Sequence, residues 1–166
     1  MKRIIICVIS LFFLCSCSAQ SNMNEEIFFE RLNEVSPNIR CAAEIVSGNI
    51  TTVFTDEDII FELTKNEQCD IIKISLTTDD VNKSELFLST VKEMLRVYSP
   101  ETGIEQIENE LFEKGRGLYS FETDEYDFCS FINDKGLYFT VNNKKLNPLS
   151  VPELRININE DIRKTH

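Results

Sequence analysis

The sequence predicts an α+β domain of two layers, an antiparallel sheet with helices packed on one face, in the order α-βββ-αα-βββ. Three observations lead there. Apolar residues recur at helical spacing in 24–35 and again in 82–112, they alternate strand-fashion in 69–77, and aromatic-rich strand-like runs return after Gly115. Runs of strands separated by a helix pair point to segregated layers rather than alternating βα units. The alternation fits a sheet buried on one side only.

The first element is a helix over Asn24–Val35, with Ile27, Phe28, Arg31, Leu32 and Val35 at helical spacing and Asn24 as its cap. Ser36-Pro37-Asn38 ends it. Residues 39–54 carry no single period. Cys41-Ala42-Ala43-Glu44 is compatible with a further helical turn, Gly48-Asn49 marks a turn, and Ile50–Phe54 is strand-like by its β-branched content. Asp58–Leu63 and Cys69–Thr77 complete an antiparallel meander over 50–77. In the last of these, Ile72, Ile74 and Leu76 are expected on one side and Ile71, Lys73, Ser75 and Thr77 on the other.

The period then changes. Asn82-Lys83-Ser84-Glu85 has a loose capping-box pattern ahead of the apolar face Phe87, Val91, Met94, Leu95 and Tyr98. Ser99-Pro100 breaks the chain, and Thr102-Gly103-Ile104-Glu105 is a second such box, followed by Ile104, Ile107, Leu111 and Phe112. Gly115 suits a left-handed helix end. Leu118–Thr123, Tyr126–Ile132 and Leu137–Val141 are the closing strands, with Asn133-Asp134-Lys135-Gly136 as a hairpin loop in which Gly136 is expected at positive φ. Asn142–Lys145 is turn-like, and Pro148 and Pro152 punctuate an extended tail. Thr55-Asp56-Glu57 and Thr123-Asp124-Glu125 echo one another, a match short enough to read as chance.

The start of the chain has a different character. Lys2 and Arg3 precede an apolar run over Ile4–Leu14, too short for a spanning helix of ~20 residues but suited to a signal-peptide core. It ends in Leu14-Cys15-Ser16-Cys17, which resembles the bacterial lipoprotein signal: a Leu three residues before a Cys, with small residues between. The resemblance covers about the first twenty residues. It implies cleavage between Ser16 and Cys17, a diacylglyceryl thioether with palmitate-class chains on Cys17, and an extracytoplasmic, membrane-tethered product in the cell envelope. Two acyl chains suffice for stable anchoring where one is marginal. The implied organisation is a signal peptide in 1–16, a lipidated Cys17 with a polar tether in 17–24, one domain in 25–157, and a frayed tail in 158–166.

Charge narrows the partners. The precursor carries −11. Without residues 1–16, which hold Lys2 and Arg3 but no acidic residue, the remainder carries −13. Nucleic acid calls for a basic patch and is not expected as a partner. Anionic headgroups are also repelled, so the membrane contact falls to the lipid on Cys17. Beyond the signal and Cys17, the cysteines are Cys41, Cys69 and Cys129, 28 and 60 residues apart. That spacing matches no zinc pattern, and an odd number leaves at least one thiol unpaired. Buried free thiols are the expectation for Cys69 and Cys129, with one disulfide plus one free thiol the alternative.

No catalytic residue, metal site or cofactor is assigned. The single histidine, His166, ends the chain, where no rigid surround holds a general base in reach of a substrate. Gly115-Arg116-Gly117 is too short for a phosphate loop. The acidic groups Asp56-Glu57-Asp58, Asp79-Asp80 and Asp124-Glu125 with Asp127 fall at turns, where carboxylates are ordinarily solvated. They lack EF-hand spacing. Of the aromatics Tyr119, Phe121, Tyr126, Phe128, Phe131, Tyr138 and Phe139, most are expected in the core. Tyr126 and Tyr138 are the candidates for an exposed ligand surface, because a buried hydroxyl needs a partner. The leading functional expectation is a non-enzymatic binding module with an envelope protein or glycan as partner. The alternatives are a small carboxylate-dependent glycan hydrolase and an envelope assembly or structural accessory.

Overall fold

The computed structural model describes residues 23–37 and 39–147. The described residues form a mixed α+β structure: a seven-stranded antiparallel sheet with three helices. In chain order the elements are α1 (Glu25–Val35), β1 (Cys41–Ser47), β2 (Ile50–Thr55), β3 (Ile60–Lys65), β4 (Ile71–Thr78), a 3-10 turn (Val81–Lys83), α2 (Ser84–Tyr98), α3 (Ile104–Leu111), β5 (Gly117–Glu122), β6 (Tyr126–Asn133) and β7 (Gly136–Asn143). The first strand run therefore has four members, not three. The uncertain stretch resolves into β1, a fully exposed strand turned back by Gly48 at φ +62°. The sheet order is β1-β2-β3-β4-β7-β6-β5, so β7 docks on β4 and joins the two strand runs.

Register divides the sheet residues into two sets. Thr51, Leu63, Ile74, Val141 and Phe128 align across β2, β3, β4, β7 and β6, as do Val53, Phe61, Leu76, Phe139 and Ser130. All ten are buried. The apolar members form one cluster with Phe28 and Leu32 of α1, with Phe87, Val91, Met94, Leu95 and Tyr98 of α2, and with Ile107 and Leu111 of α3. Full burial contributes roughly 1.5–3 kcal/mol for each large apolar side chain, which makes this cluster the main stabilising feature. Of the alternate residues, one row, Phe54, Ile60, Thr77, Tyr138, Phe131 and Leu118, is half-buried or exposed, whereas Ser75, Cys129 and Asn142 are buried.

Polar ties fix the helices. Asn24 caps α1 as expected, its Oδ1 accepting from Ile27 N at 3.0 Å. Glu25 accepts from Lys65 Nζ at 2.7 Å and Thr51 Oγ1 at 2.9 Å, locking α1 to β2 and β3. Lys92 and Glu108 pair at 2.7 Å between α2 and α3. The hydroxyl of Ser130 donates to Leu111 O at 2.6 Å, holding the end of α3 over β6.

Several local expectations need correction. Asp80, not Asn82, caps the turn before α2, accepting from Asn82 N at 2.9 Å, and α2 itself begins without a side-chain cap. Thr102 does not cap α3, whose N-cap is Gly103. A bulge between Thr64 and Lys65 sets Lys65 opposite Ile71 and Thr64 opposite Lys73. The parity of β4 is thereby reversed at its start, so Ile71 is buried and Ile72 half-buried. Gly136 is not at positive φ. Its side is closed instead by β4: a Cβ there would lie 2.5 Å from Thr78 O.

Candidate interaction surface

The side of the sheet that carries Tyr138 has a built centre. Ser75, Thr140, Cys129 and Ser120 align across β4, β7, β6 and β5. Ser75 Oγ donates to Thr140 Oγ1 at 3.2 Å and lies 3.3 Å from the hydroxyl of Tyr138, while Thr140 donates to Ile74 O at 3.2 Å. One neighbouring row places Phe54, Ile60, Thr77, Tyr138, Phe131 and Leu118 side by side, and the other places Lys73, Asn142 and Asp127. The result is a hydroxyl ladder with an apolar, aromatic row on one side and a charged row on the other. Such a surface matches an extended or planar ligand that offers both apolar area and hydrogen-bonding groups.

Tyr126 and Tyr138, the two tyrosines singled out from sequence, do not share this surface. Tyr138 is half-buried within it. Tyr126 belongs to the buried set, with Phe128, and is itself buried. Its hydroxyl has the partner that burial demands, Tyr98 O at 3.2 Å, and burial raises its pKa above the usual tyrosine value, with a smaller contribution from Glu125. Of the other aromatics, Phe128 and Phe139 are buried, whereas Tyr119, Phe121 and Phe131 are half-buried.

Two of the three acidic groups are held by lysines, and Asp80 of the third caps the turn before α2. Lys83 Nζ donates to Asp58 Oδ2 at 2.7 Å and Glu57 O at 2.8 Å, and the bond to Asp58 raises the lysine pKa. Lys144 lies 3.5 Å from both Glu122 and Asp127 and donates to Thr123 O at 2.8 Å, and Lys145 pairs with Glu125. Among the described residues no group of three or more His, Cys, Asp or Glu side chains could hold a metal ion. A shallow cleft of about 100 Å³ lies between the β2–β3 turn and α2, lined by Ser36, Ile39, Thr55, Glu57, Thr90 and Glu93 among others. It is well below the ~300 Å³ at which small-molecule pockets begin.

Cys41, Cys69 and Cys129 are free thiols. Cys129 is buried as expected, and burial raises its pKa. Cys69 is not in a strand: it occupies the β3–β4 turn at φ +66° and is exposed, like Cys41. Cys41 begins β1, whereas the Cys69 turn lies at the sheet end where β1 finishes, since Lys65 N bonds Asn49 O. Ser16, Cys17, the signal segment and the tail from Pro148 onward lie outside the described residues. No helix among the described residues is long and apolar enough to cross a membrane. No family model, curated protein or solved structure matches the chain.

The hydroxyl ladder is the feature that sequence reading missed. Ser75 and Thr140 are ordinary strand residues 65 positions apart, and only the β4–β7 pairing brings them together.

Proposed function

We propose that the protein is an extracytoplasmic lipoprotein anchored through lipid on Cys17, and that its domain is a non-enzymatic binding module. The finer architecture proposed is two layers, with all three helices on the buried side of the sheet and the Ser75–Thr140–Tyr138 side left as the partner-facing surface. The contacts of the helices with the sheet support this: Phe29 with Phe61, Phe112 at the end of α3 with Phe139, Tyr98 with Tyr126, Glu25 with Thr51 and Leu111 with Ser130 all involve the buried set. The single observation carrying the functional reading is the row beside the hydroxyl ladder, in which half-buried Phe54, Ile60, Tyr138 and Phe131 and exposed Leu118 flank the single polar residue Thr77. An apolar row of this kind, rimmed by polar groups, is the ordinary signature of a partner site. The partner is an envelope protein or a glycan.

Orientation follows from the ends of the domain. Met23 O accepts from Ile71 N at 2.8 Å, and Asn147 follows the end of β7, so both chain ends meet the sheet at the edge that carries the β1–β2, β3–β4 and β5–β6 turns. A tether from Ser18 to Met23 reaches at most ~20 Å. That edge then faces the membrane, and the acidic β2–β3 and β4–α2 turns face away.

The test pairs localisation with binding. Cys17→Ser is expected to abolish lipid incorporation and release the domain from membranes. Cross-linking in intact envelopes is expected to recover one reproducible partner, lost with Phe131→Asp and Tyr138→Asp. A domain that recovers no partner, or the same partner with and without these changes, contradicts the reading.

A further inference from the structure

We propose that the cleft between α2 and the β2–β3 turn is a second binding site, one that takes the side chain of a lysine from a protein partner. It shares no residue with the surface around Tyr138. One face of α2 lines it, because Leu86, Ser89, Thr90 and Glu93 stand at i, i+3, i+4 and i+7. Ser36 at the end of α1 and Glu57 in the β2–β3 turn add polar groups, and Ile39 and Ile59 add apolar wall. The volume of about 100 Å³ holds roughly three waters. That is room for the end of one side chain rather than for a free small molecule.

The polar groups of the cleft are short of partners. Among the described residues, neither the Glu57 nor the Glu93 carboxylate makes a hydrogen bond or salt bridge. Lys83, the cation beside Glu57, is committed to Asp58 Oδ2 at 2.7 Å and to the main-chain oxygen of Glu57 at 2.8 Å. The hydroxyl of Ser36 is an independent mark. Ser36 is only 5% exposed, yet its hydroxyl bonds to none of the described residues, whereas those of Thr55 and Thr90 are spent on Ile59 and on Leu86 O. A buried hydroxyl without a partner is costly, and a ligand that supplies one removes the cost. Two carboxylates and one hydroxyl match the three donors of an ammonium. A guanidinium brings five donors in a rigid fork, more than the cleft answers. The lysine stem lies on Ile39, Ile59 and Leu86 while its head meets the acids. Asp58, Asp80 and Glu57 all act on Lys83, so this end of the domain is negative and attracts a cation.

The test is a titration of the full chain in detergent, read by NMR at the methyl groups of Ile39 and Ile59. The probes are a blocked glycine-lysine-glycine tripeptide, its norleucine and arginine counterparts, and free n-butylammonium. The lysine peptide is expected to shift both isoleucines and to bind about tenfold more tightly than the norleucine or arginine peptide. Glu57→Gln together with Glu93→Gln is expected to weaken it about tenfold, and Ser36→Ala about threefold. Glu105→Gln, exposed on α3 and outside the cleft, is expected to change nothing. Equal binding of the norleucine peptide, or an affinity that survives the double substitution, overturns the proposal. So does a cleft that takes n-butylammonium and excludes the peptide. If Ser36→Ala loses cooperative unfolding, the two glutamate substitutions decide, since neither carboxylate bonds within the fold. A negative result here leaves the reading of the Tyr138 surface standing.

Discussion

The hydroxyl of Tyr126 donates to the main-chain oxygen of Tyr98, and their rings meet edge-on with centroids 5.8 Å apart. Tyr98 in turn donates to Ile71 O at 2.8 Å and packs against Phe28. The C-terminal end of α2 is thus tied to β6, to the start of β4 and to α1 by two side chains. Tyr98→Phe removes the bond to Ile71 O and is expected to cost about 1–3 kcal/mol of unfolding free energy. Urea titration of the two proteins measures it.

The same pair sets an alkaline limit. Burial raises both tyrosine pKa values above the ordinary 10.0. In the unfolded chain these hydroxyls ionise near 10, whereas the folded protein still holds the protons, so the unfolded state binds fewer protons above that pH. Stability therefore falls as pH rises through and beyond 10, with a slope approaching ~1.4 kcal/mol per pH unit for each group. The effect is absent at neutral pH. Tyr98→Phe is expected to flatten the slope in urea titrations between pH 9 and 11, and an unchanged slope would show that Tyr98 ionises equally in both states.

Glu25, Lys65 and Thr51 form a mutually bonded triad with only 22% and 17% exposure of the Glu and Lys side chains. Lys65→Met strands the carboxylate and is expected to destabilise by about 1–3 kcal/mol. Pairing it with Glu25→Gln should recover part of that loss, because the uncompensated charge is gone. A double-mutant cycle in urea measures the coupling, and additive losses would mean the pair contributes nothing of its own.

Gly136→Ala forces a Cβ against the main-chain oxygen of Thr78, which cannot yield without moving β4. The expected loss is about 1–3 kcal/mol. Gly48→Ala meets no atom within 4 Å and bears only the strain of φ +62°, about 1 kcal/mol. Thermal or urea unfolding that ranks Gly48→Ala as the worse variant would contradict this register of β4 and β7.

The helices were legible in sequence because their apolar stripes are regular, and all five predicted core residues of α2 are buried. The order of strands was legible only in part. β1 is exposed on both faces, so no alternation was available to mark it. The bulge opposite Ile71 leaves no local signature, yet it decides that Ile71 rather than Ile72 faces inward, while Ile74 and Leu76 face inward as the alternation predicts. The repeated Thr-Asp-Glu, read as chance, has a structural meaning. Thr55 and Thr123 each cross-bond their hairpin, Thr55 Oγ1 with Ile59 and Thr123 Oγ1 with Tyr126. The surface around Ser75 and Thr140 depends on long-range pairing, which no local pattern encodes.

The anchor is tested by intact-mass and N-terminal peptide analysis of the protein purified from the membrane fraction. The expected result is a mature chain that begins at Cys17 and carries a diacylglyceryl thioether there. A freely soluble product with an unmodified Cys17 would contradict the proposal of a lipid-anchored binding module.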